Sequence, residues 1–497
     1  MCGIAGALIN PASDNVQWMV ERLSHRGPDG YGIQNLERAT LGHTRLAILD
    51  IEGGRQPMQY GDAWIAFNGE IYNYRDLQRK YLPDQRMKGH SDTEVLLHLF
   101  EKFGPQFVSM LDGMFAFVIY QDGEFLMARD PYGIKPLYHG RSSDEKHLFF
   151  ASEIKAIADQ AASISEFPAG HWFHSRLGWQ RYHQMEESLV PFEGSEAEAQ
   201  TLIKSTLREA VHKRLLADVP VGISLSGGLD SSIISLLACE GTDQLHSFAV
   251  GVEGSEDLAA ARKMADILHT QHHELIYNAE DMVQALPNVL YYLETFDPAL
   301  VRSAIPNYFL AKLASQYVKV FLTGEGADEI YAGYEYLGRY DSPESLQQEM
   351  IHITEALHNT NLQRADRMSM AFGLEARVPF LDVKSVALAL SFPAEWKLHR
   401  ARVPKALLRQ AFASDLPAEI VNRPKRKFSQ GAGSSDLIAQ RAETEISDAE
   451  FQRESLRLKE AWDYALPNKE ALYYYKALCA FYDEKWIFPT MGKSRSL

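Results

Sequence analysis

Nothing in this 497-residue sequence forms a run of about 18 apolar residues, so no membrane-spanning helix is predicted. The first ten residues, MCGIAGALIN, lack the basic start and long apolar stretch of a secretory signal, and a cytoplasmic protein is expected. Cysteine is scarce. Cys2, Cys239 and Cys479 are odd in number and match no metal-ligand spacing, which argues against a disulfide framework or a zinc site and leaves Cys239 and Cys479 as buried or idle thiols. Basic charge is also short: 50 Lys and Arg against 66 Asp and Glu give a formal net charge of −16. A field of that sign repels phosphate backbones and anionic lipid, so neither nucleic acid nor a membrane surface is an expected partner. Internal repeats and low-complexity tracts are absent as well.

The chain does have ample apolar material, 46% hydrophobic with 23% charged residues, and a length beyond what one core usually serves, so two domains are expected. Up to about residue 185, short β-type runs alternate with turn signals. ATLGHTRLAIL and WIAFNGEIYN are two of them, and MFAFVIY and EFLMAR flank Gln121-Asp122-Gly123 as a hairpin. This pattern predicts a layered antiparallel α+β domain over 1–190. The acidic, non-periodic stretch Glu186–Glu198 reads as a linker. From Ala197 an i, i+4 apolar stripe through Ile203, Leu207 and Val211 predicts a helix. The runs VPVGISL, HSFAVGV, HELIY and VKVFLT then alternate with helical stretches, which predicts an α/β parallel-sheet domain over 197–497 that becomes mainly helical beyond about Pro343.

Cys2 follows the initiator Met. Removal of Met1 would place a thiol and a free α-amine on one residue, a nucleophile with its own base, since the α-amine titrates near about 7.7–8.0 and the thiol near about 8.5. Alone, such a cysteine signals little. It stands, however, with Cys2-Gly3-Ile4-Ala5-Gly6, His25-Arg26-Gly27-Pro28-Asp29-Gly30, Arg45-Leu46-Ala47-Ile48, Asn68-Gly69-Glu70-Ile71-Tyr72-Asn73 and His90-Ser91-Asp92. In order, these resemble the class II glutamine amidotransferases, with an Ntn-type layered fold, over the whole N-terminal domain. The resemblance implies that Cys2 attacks the side-chain amide of glutamine and that Asn68 and Gly69 form the oxyanion hole. It also implies that Arg45, Leu46, Ile48, Glu70 and Asp92 line the glutamine site, with Arg45 on the α-carboxylate and the two acids on the ammonium. Taken singly, Asn68-Gly69 reads as a turn and Arg45 as a surface ion pair.

A second constellation begins at the apolar strand Val219–Leu225, followed by Ser226-Gly227-Gly228-Leu229-Asp230-Ser231-Ser232 and the helical run IISLLACE. Strand, glycine-rich loop and helix make an anion cradle, although the G-x-x-x-x-G-K-S/T order of a Walker loop is missing. The loop is similar to the pyrophosphate loop of the ATP pyrophosphatase families. Leu322–Glu329, Gly333-Tyr334, Arg364–Met370 and Gly373–Asp382 resemble the C-terminal domain of the asparagine synthetase family. That resemblance implies an ATP site at Leu225, Ser226, Gly227, Gly228, Asp230, Ser231, Ser232, Val250, Thr323 and Gly324, with Asp230 and Asp328 holding Mg²⁺. Glu325, Tyr334 and Lys425 would serve amide formation, Lys425 from a segment that otherwise reads as a solvated basic loop. Arg302 and Asp328 would meet the acceptor, with Ala299 and Leu300 where some family members carry threonines.

The expected reaction is asparagine synthesis from glutamine, ATP and aspartate, and the resemblance leaves a homodimer open. Three other readings stand beside it: the same chemistry on another carboxylate in a specialised amide or lactam synthetase, a regulatory glutamine-binding protein, and a tRNA-modifying enzyme, which the charge opposes. His272-His273 are expected on opposite faces of a strand and so not to chelate one ion.

Overall fold

The computed structural model describes residues 2–186, 189–242, 244–398, 403–424 and 437–492. Two six-stranded antiparallel sheets form the first half. In spatial order the first runs Ser163–Glu166, Tyr138–Arg141, Leu148–Ala151, Gly3–Leu8, Ala39–Arg45 and Gly30–Asn35. The second runs Gly178–Arg181, His171–His174, Glu124–Arg129, Gly113–Gln121, Ala63–Ile71 and Met58–Tyr60. The expected hairpin closes with Gln121 opposite Glu124 across Asp122 and Gly123, both at positive φ.

Side-chain alternation stacks these sheets. Along Gly3–Leu8, Ile4 and Leu8 meet Ala66, Ala116 and Val118 of the second sheet, while Ala5 and Ala7 meet Val16, Met19 and Val20 of the Ser13–Arg22 helix. On the far side, Val95, Leu96 and Leu99 of the Asp92–Phe103 helix cover Ile65, Phe67 and Phe117. The result is helix, sheet, sheet, helix. Cys2 lies at the entry to the central strand of the first sheet, between the layers.

Ser195 opens the second half. Its side chain and Glu198 form a capping box on the Glu196–Lys213 helix, which buries Ala199, Ile203, Leu207, Ala210 and Val211. The helix thus starts inside the stretch read as linker. The parallel sheet has five strands, Gln271–Ile276, His246–Gly251, Val221–Ser224, Val320–Leu322 and Glu375–Arg377 in spatial order. Four fall on the expected apolar runs. The fifth, Glu375–Arg377, lies in the part expected to be mainly helical, where no strand was picked out, because a three-residue strand with two charged ends has no apolar signature. Successive strands step outward in opposite directions from the Val221–Ser224 and Val320–Leu322 pair, which is therefore the switch point where such sheets open a crevice at their carboxyl ends. His272 and His273 diverge as expected, His272 to Ser247 and Glu274, His273 to His246 and Tyr317. Cys479 is exposed rather than buried.

Candidate active sites

Cys2 is buried, and its backbone N–H donates to the Asn68 side-chain oxygen at 3.0 Å. That bond aims the Asn68 amide nitrogen into the site, where it is buried and has no partner among the described residues. At Gly69 an added Cβ would lie 2.1 Å from the Met114 carbonyl, so only glycine fits the strand crossing there. Cys2, Arg45, Leu46, Ile48, Gly69, Glu70 and Asp92 line one small cavity. The glutamine-site residues expected from the sequence therefore converge, Asn68 through its bond to Cys2.

Arg45 is no surface ion pair. Its guanidinium donates to the carbonyls of Ile51 and Asp50, each at 2.7 Å, which fixes it at the cavity rim. Burial raises the Cys2 thiol pKa, so it needs a base to ionise. Burial also raises the Glu70 carboxyl, with Asp92 adding to it, and pushes Asp92 up to about 6 against the N–H bonds it accepts from Ile71 and Thr93. One Glu70 oxygen is buried without a hydrogen-bond partner among the described residues. Two buried carboxyls with raised pKa, one of whose oxygens makes no hydrogen bond among the described residues, form a donor set that suits a cation.

The sequence reading missed a contribution from the other half. Glu375, on the fifth parallel strand, lines this same cavity. Two residues on, Arg377 is fully buried and meets both Glu375 and, at 3.3 Å, Glu70.

At the switch point of the parallel sheet, the Leu229–Cys239 helix begins at Gly228 with no side-chain cap. Ser226 and Ser231 hydroxyls lie 3.1 Å apart, Ser231 donates to the Gly228 carbonyl, and the buried Ser232 hydroxyl has no partner among the described residues. Gly227 has φ +66, and a Cβ there would meet the Ala260 backbone at 2.5 Å. Gly324 packs its α-carbon against Asp230, and the Thr323 N–H is held by the Arg377 carbonyl. Leu225 and Val250 are buried in the adjoining strand ends. Asp230 and Asp328 converge on one cation, the buried ammonium of Lys405 at 2.5 and 2.6 Å. Lys405 itself takes a left-handed backbone, φ 58, which costs a non-glycine residue free energy. Two carboxylates closing on a single positive centre are a donor set that suits a hard divalent cation.

Glu325 is paired with Arg364, which also donates to Ser303 and Asn361. Tyr334 donates to Glu329 at 2.5 Å, and Asn361 donates to both. Burial, with Asp328 nearby, brings Glu329 up to about 7. The expected acceptor guanidinium is engaged elsewhere: Arg302 forms a two-pronged pair with the buried Glu470, which also accepts from Tyr474. Arg364 rather than Arg302 is the guanidinium on Glu325. Lys425 lies outside the described residues. Lys405, Arg364 and Glu329 were not singled out, since nothing local distinguishes them from ordinary helix residues.

A half of two stacked antiparallel sheets with a cysteine at position 2, joined to a parallel sheet with a phosphate-type loop, defines a glutamine amidotransferase fused to a synthase. Residues 1–181 match the family described as glutamine amidotransferase domain, and residues 202–345 and 339–486 match asparagine synthase. The chain is 39% identical to a probable glutamine-hydrolyzing asparagine synthetase of Schizosaccharomyces pombe over 98% of its length and 94% of that protein's. It is 38% identical to asparagine synthetase 3 of Arabidopsis thaliana over 95% and 86%, and 37% identical to a probable asparagine synthetase of Dictyostelium discoideum over 100% and 97%. The chain belongs to the glutamine-hydrolysing asparagine synthetase family.

Proposed function

We propose that this chain makes asparagine, with two units, 1–190 and 197–497, sharing the work. In the first, the Cys2 thiol passes its proton to the α-amine exposed by Met1 removal and attacks the glutamine amide carbon. Charge developing on the amide oxygen meets the Asn68 amide N–H and the Gly69 N–H. The C–N bond then breaks, ammonia leaves with the proton held by the amine, and water releases glutamate from the thioester. Arg45 holds the substrate carboxylate, and Glu70 with Asp92 hold its ammonium.

In the second unit, the aspartate side-chain carboxylate attacks the α-phosphorus of ATP, forming β-aspartyl-AMP and releasing pyrophosphate into the Ser226–Ser232 cradle. Asp230 and Asp328 would hold Mg²⁺, which neutralises the departing pyrophosphate. Ammonia attacks the activated carbonyl, a neighbouring base takes its proton, and AMP leaves. Glu325, Tyr334 and Lys425 belong to this step, with Asp328 and Arg302 toward the acceptor. A homodimer is part of the proposal and is read out by light scattering.

The observation that carries the reading is the Asn68 amide nitrogen, buried and unpartnered beside Cys2. The test is incubation with glutamine, aspartate, ATP and Mg²⁺, from which glutamate, asparagine, AMP and pyrophosphate are expected in equal amounts. ADP and phosphate as products would refute adenylation. One observation favours a second reading, another carboxylate as acceptor: Arg302 is already paired with Glu470, and Ala299 and Leu300 offer no hydroxyl. Pyrophosphate release stimulated by a different acid and not by aspartate would select it.

A further inference from the structure

We infer that Asp366, a residue of the synthetase half, positions the glutaminase nucleophile, acting through Arg26. The inference rests on the glutaminase reading above.

Arg26 is fully buried and uses every face of its guanidinium. Its Nε donates to the carbonyl of Cys2 itself at 3.1 Å. Its two terminal nitrogens form a fork on Asp366, at 2.8 and 3.2 Å, and one also reaches Glu153 at 2.6 Å. A fork on a carboxylate fixes the plane of the guanidinium as well as its distance, and the plane decides where Nε points. Asp366 thereby fixes the donor that holds the Cys2 peptide.

The following residue acts on the same strand. Arg367 donates to the Ser152 carbonyl at 3.0 Å and pairs with Glu294 at 2.9 Å. Ser152 in turn brackets Ile4, its N–H on the Ile4 carbonyl and its hydroxyl accepting from the Ile4 N–H. One turn of the Asn361–Met370 helix thus holds the strand carrying Cys2 at two points. Three residues earlier on that helix, Arg364 holds Glu325. The helix touches the chemistry of both halves.

Glu153 cannot replace Asp366. It already faces His25, Lys155 and Arg367 besides Arg26. Without the Asp366 carboxylate, Arg26 keeps only the Glu153 carboxylate among the described residues, which it shares with Lys155 and Arg367, and the Arg26 plane turns toward Glu153. Cys2 would then lose the bond on its carbonyl while keeping the one on its N–H, free to rotate its thiol and amine relative to Asn68. Asp366 does not line the glutamine cavity, so substrate affinity should be spared.

The full-length Asp366→Asn and Asp366→Glu variants test this, with Arg26→Lys and the Arg26→Lys/Asp366→Asn double variant. The measurements are glutaminase kcat and KM, the pH profile of Cys2 alkylation by iodoacetamide, and asparagine formation from ammonia. Asp366→Asn is expected to lower glutaminase kcat about tenfold or more with KM within about twofold, and to shift the alkylation profile. Asp366→Glu should recover part of the loss. The double variant should be no worse than Arg26→Lys, as for residues acting in one chain of contacts. Ammonia-dependent synthesis should stay within about threefold. An unchanged kcat in Asp366→Asn, additive losses, or an equal fall in ammonia-dependent synthesis would each overturn the inference. If Asp366→Asn does not fold, an Asp366→Glu variant with wild-type kcat and alkylation profile overturns it alone. Absence of glutaminase activity in the wild type would instead remove the glutaminase reading.

Discussion

Asn68 and Asp92 make opposite demands on the glutamine site. The Asn68 amide nitrogen is a buried donor with no acceptor among the described residues, an arrangement that costs free energy unless a ligand or transition state supplies the acceptor. Asn68→Ala should therefore lower the glutaminase kcat by about 10²–10³, the usual loss for one oxyanion donor, and leave ammonia-dependent synthesis unchanged. A fall of less than about fivefold would remove Asn68 from that role. Asp92 supplies an acceptor, but only when ionised, and burial pushes its carboxyl up to about 6. Since kcat/KM reports the free enzyme, kcat/KM for glutamine should decline as pH drops through about 6, while the carboxylate that would meet the ammonium takes up a proton. Asp92→Asn should weaken glutamine above about pH 6, where the carboxylate is ionised, and erase that limb of the profile; persistence of the limb would assign it to another group.

The shape of the Ser226–Ser232 loop, between strand and helix, was readable because it depends on local chain geometry. Gly227 at φ +66, with Ala260 where a Cβ would sit, has to be glycine for the loop to turn. Gly227→Ala should raise the ATP concentration needed for synthesis by about tenfold or more while glutamine hydrolysis proceeds normally, since the loop belongs to the other half. Normal ATP dependence would show that the turn tolerates the methyl group. The Glu375–Arg377 strand was not readable for the complementary reason. Its charged residues are entirely buried because partners distant in sequence, Glu70 and the carbonyls of Arg214 and Leu216, surround Arg377. No periodicity encodes that. Lys405 is similar: nothing in the sequence around it marks it, yet the ammonium reaches Asp230, 175 positions away. Arg302 shows the same limit from another side: its pairing with Glu470, 168 positions away, could not be read from the segment around it.

Joining the two halves buries charge rather than oil at several points, and the seam at Glu166 shows what that does to stability. Glu166 ends an outer strand of the first sheet, and its carboxylate accepts from Arg129 of the same half and from His358 of the other, both at 2.8 Å. Burial alone would raise this carboxyl, but His358 and then Arg129 outweigh it and bring it down to about 2 from an ordinary 4.5. A carboxyl depressed in the folded state stabilises the protein above its unfolded pKa and loses that contribution as pH falls toward the folded value. The shift corresponds to about 3 kcal/mol, present above about pH 4.5 and gone below about pH 2. Glu166→Gln should therefore lower the unfolding free energy by about 3 kcal/mol at pH 5 in urea titrations, and the gap to wild type should shrink to about half near pH 3. Because Glu166 is largely shielded from solvent, adding salt should move the gap little, unlike that of an exposed pair. A gap under about 1 kcal/mol at pH 5, or one that closes in high salt, would mean that Glu166, Arg129 and His358 behave as a solvated surface cluster and that apolar packing alone holds the halves together at this edge.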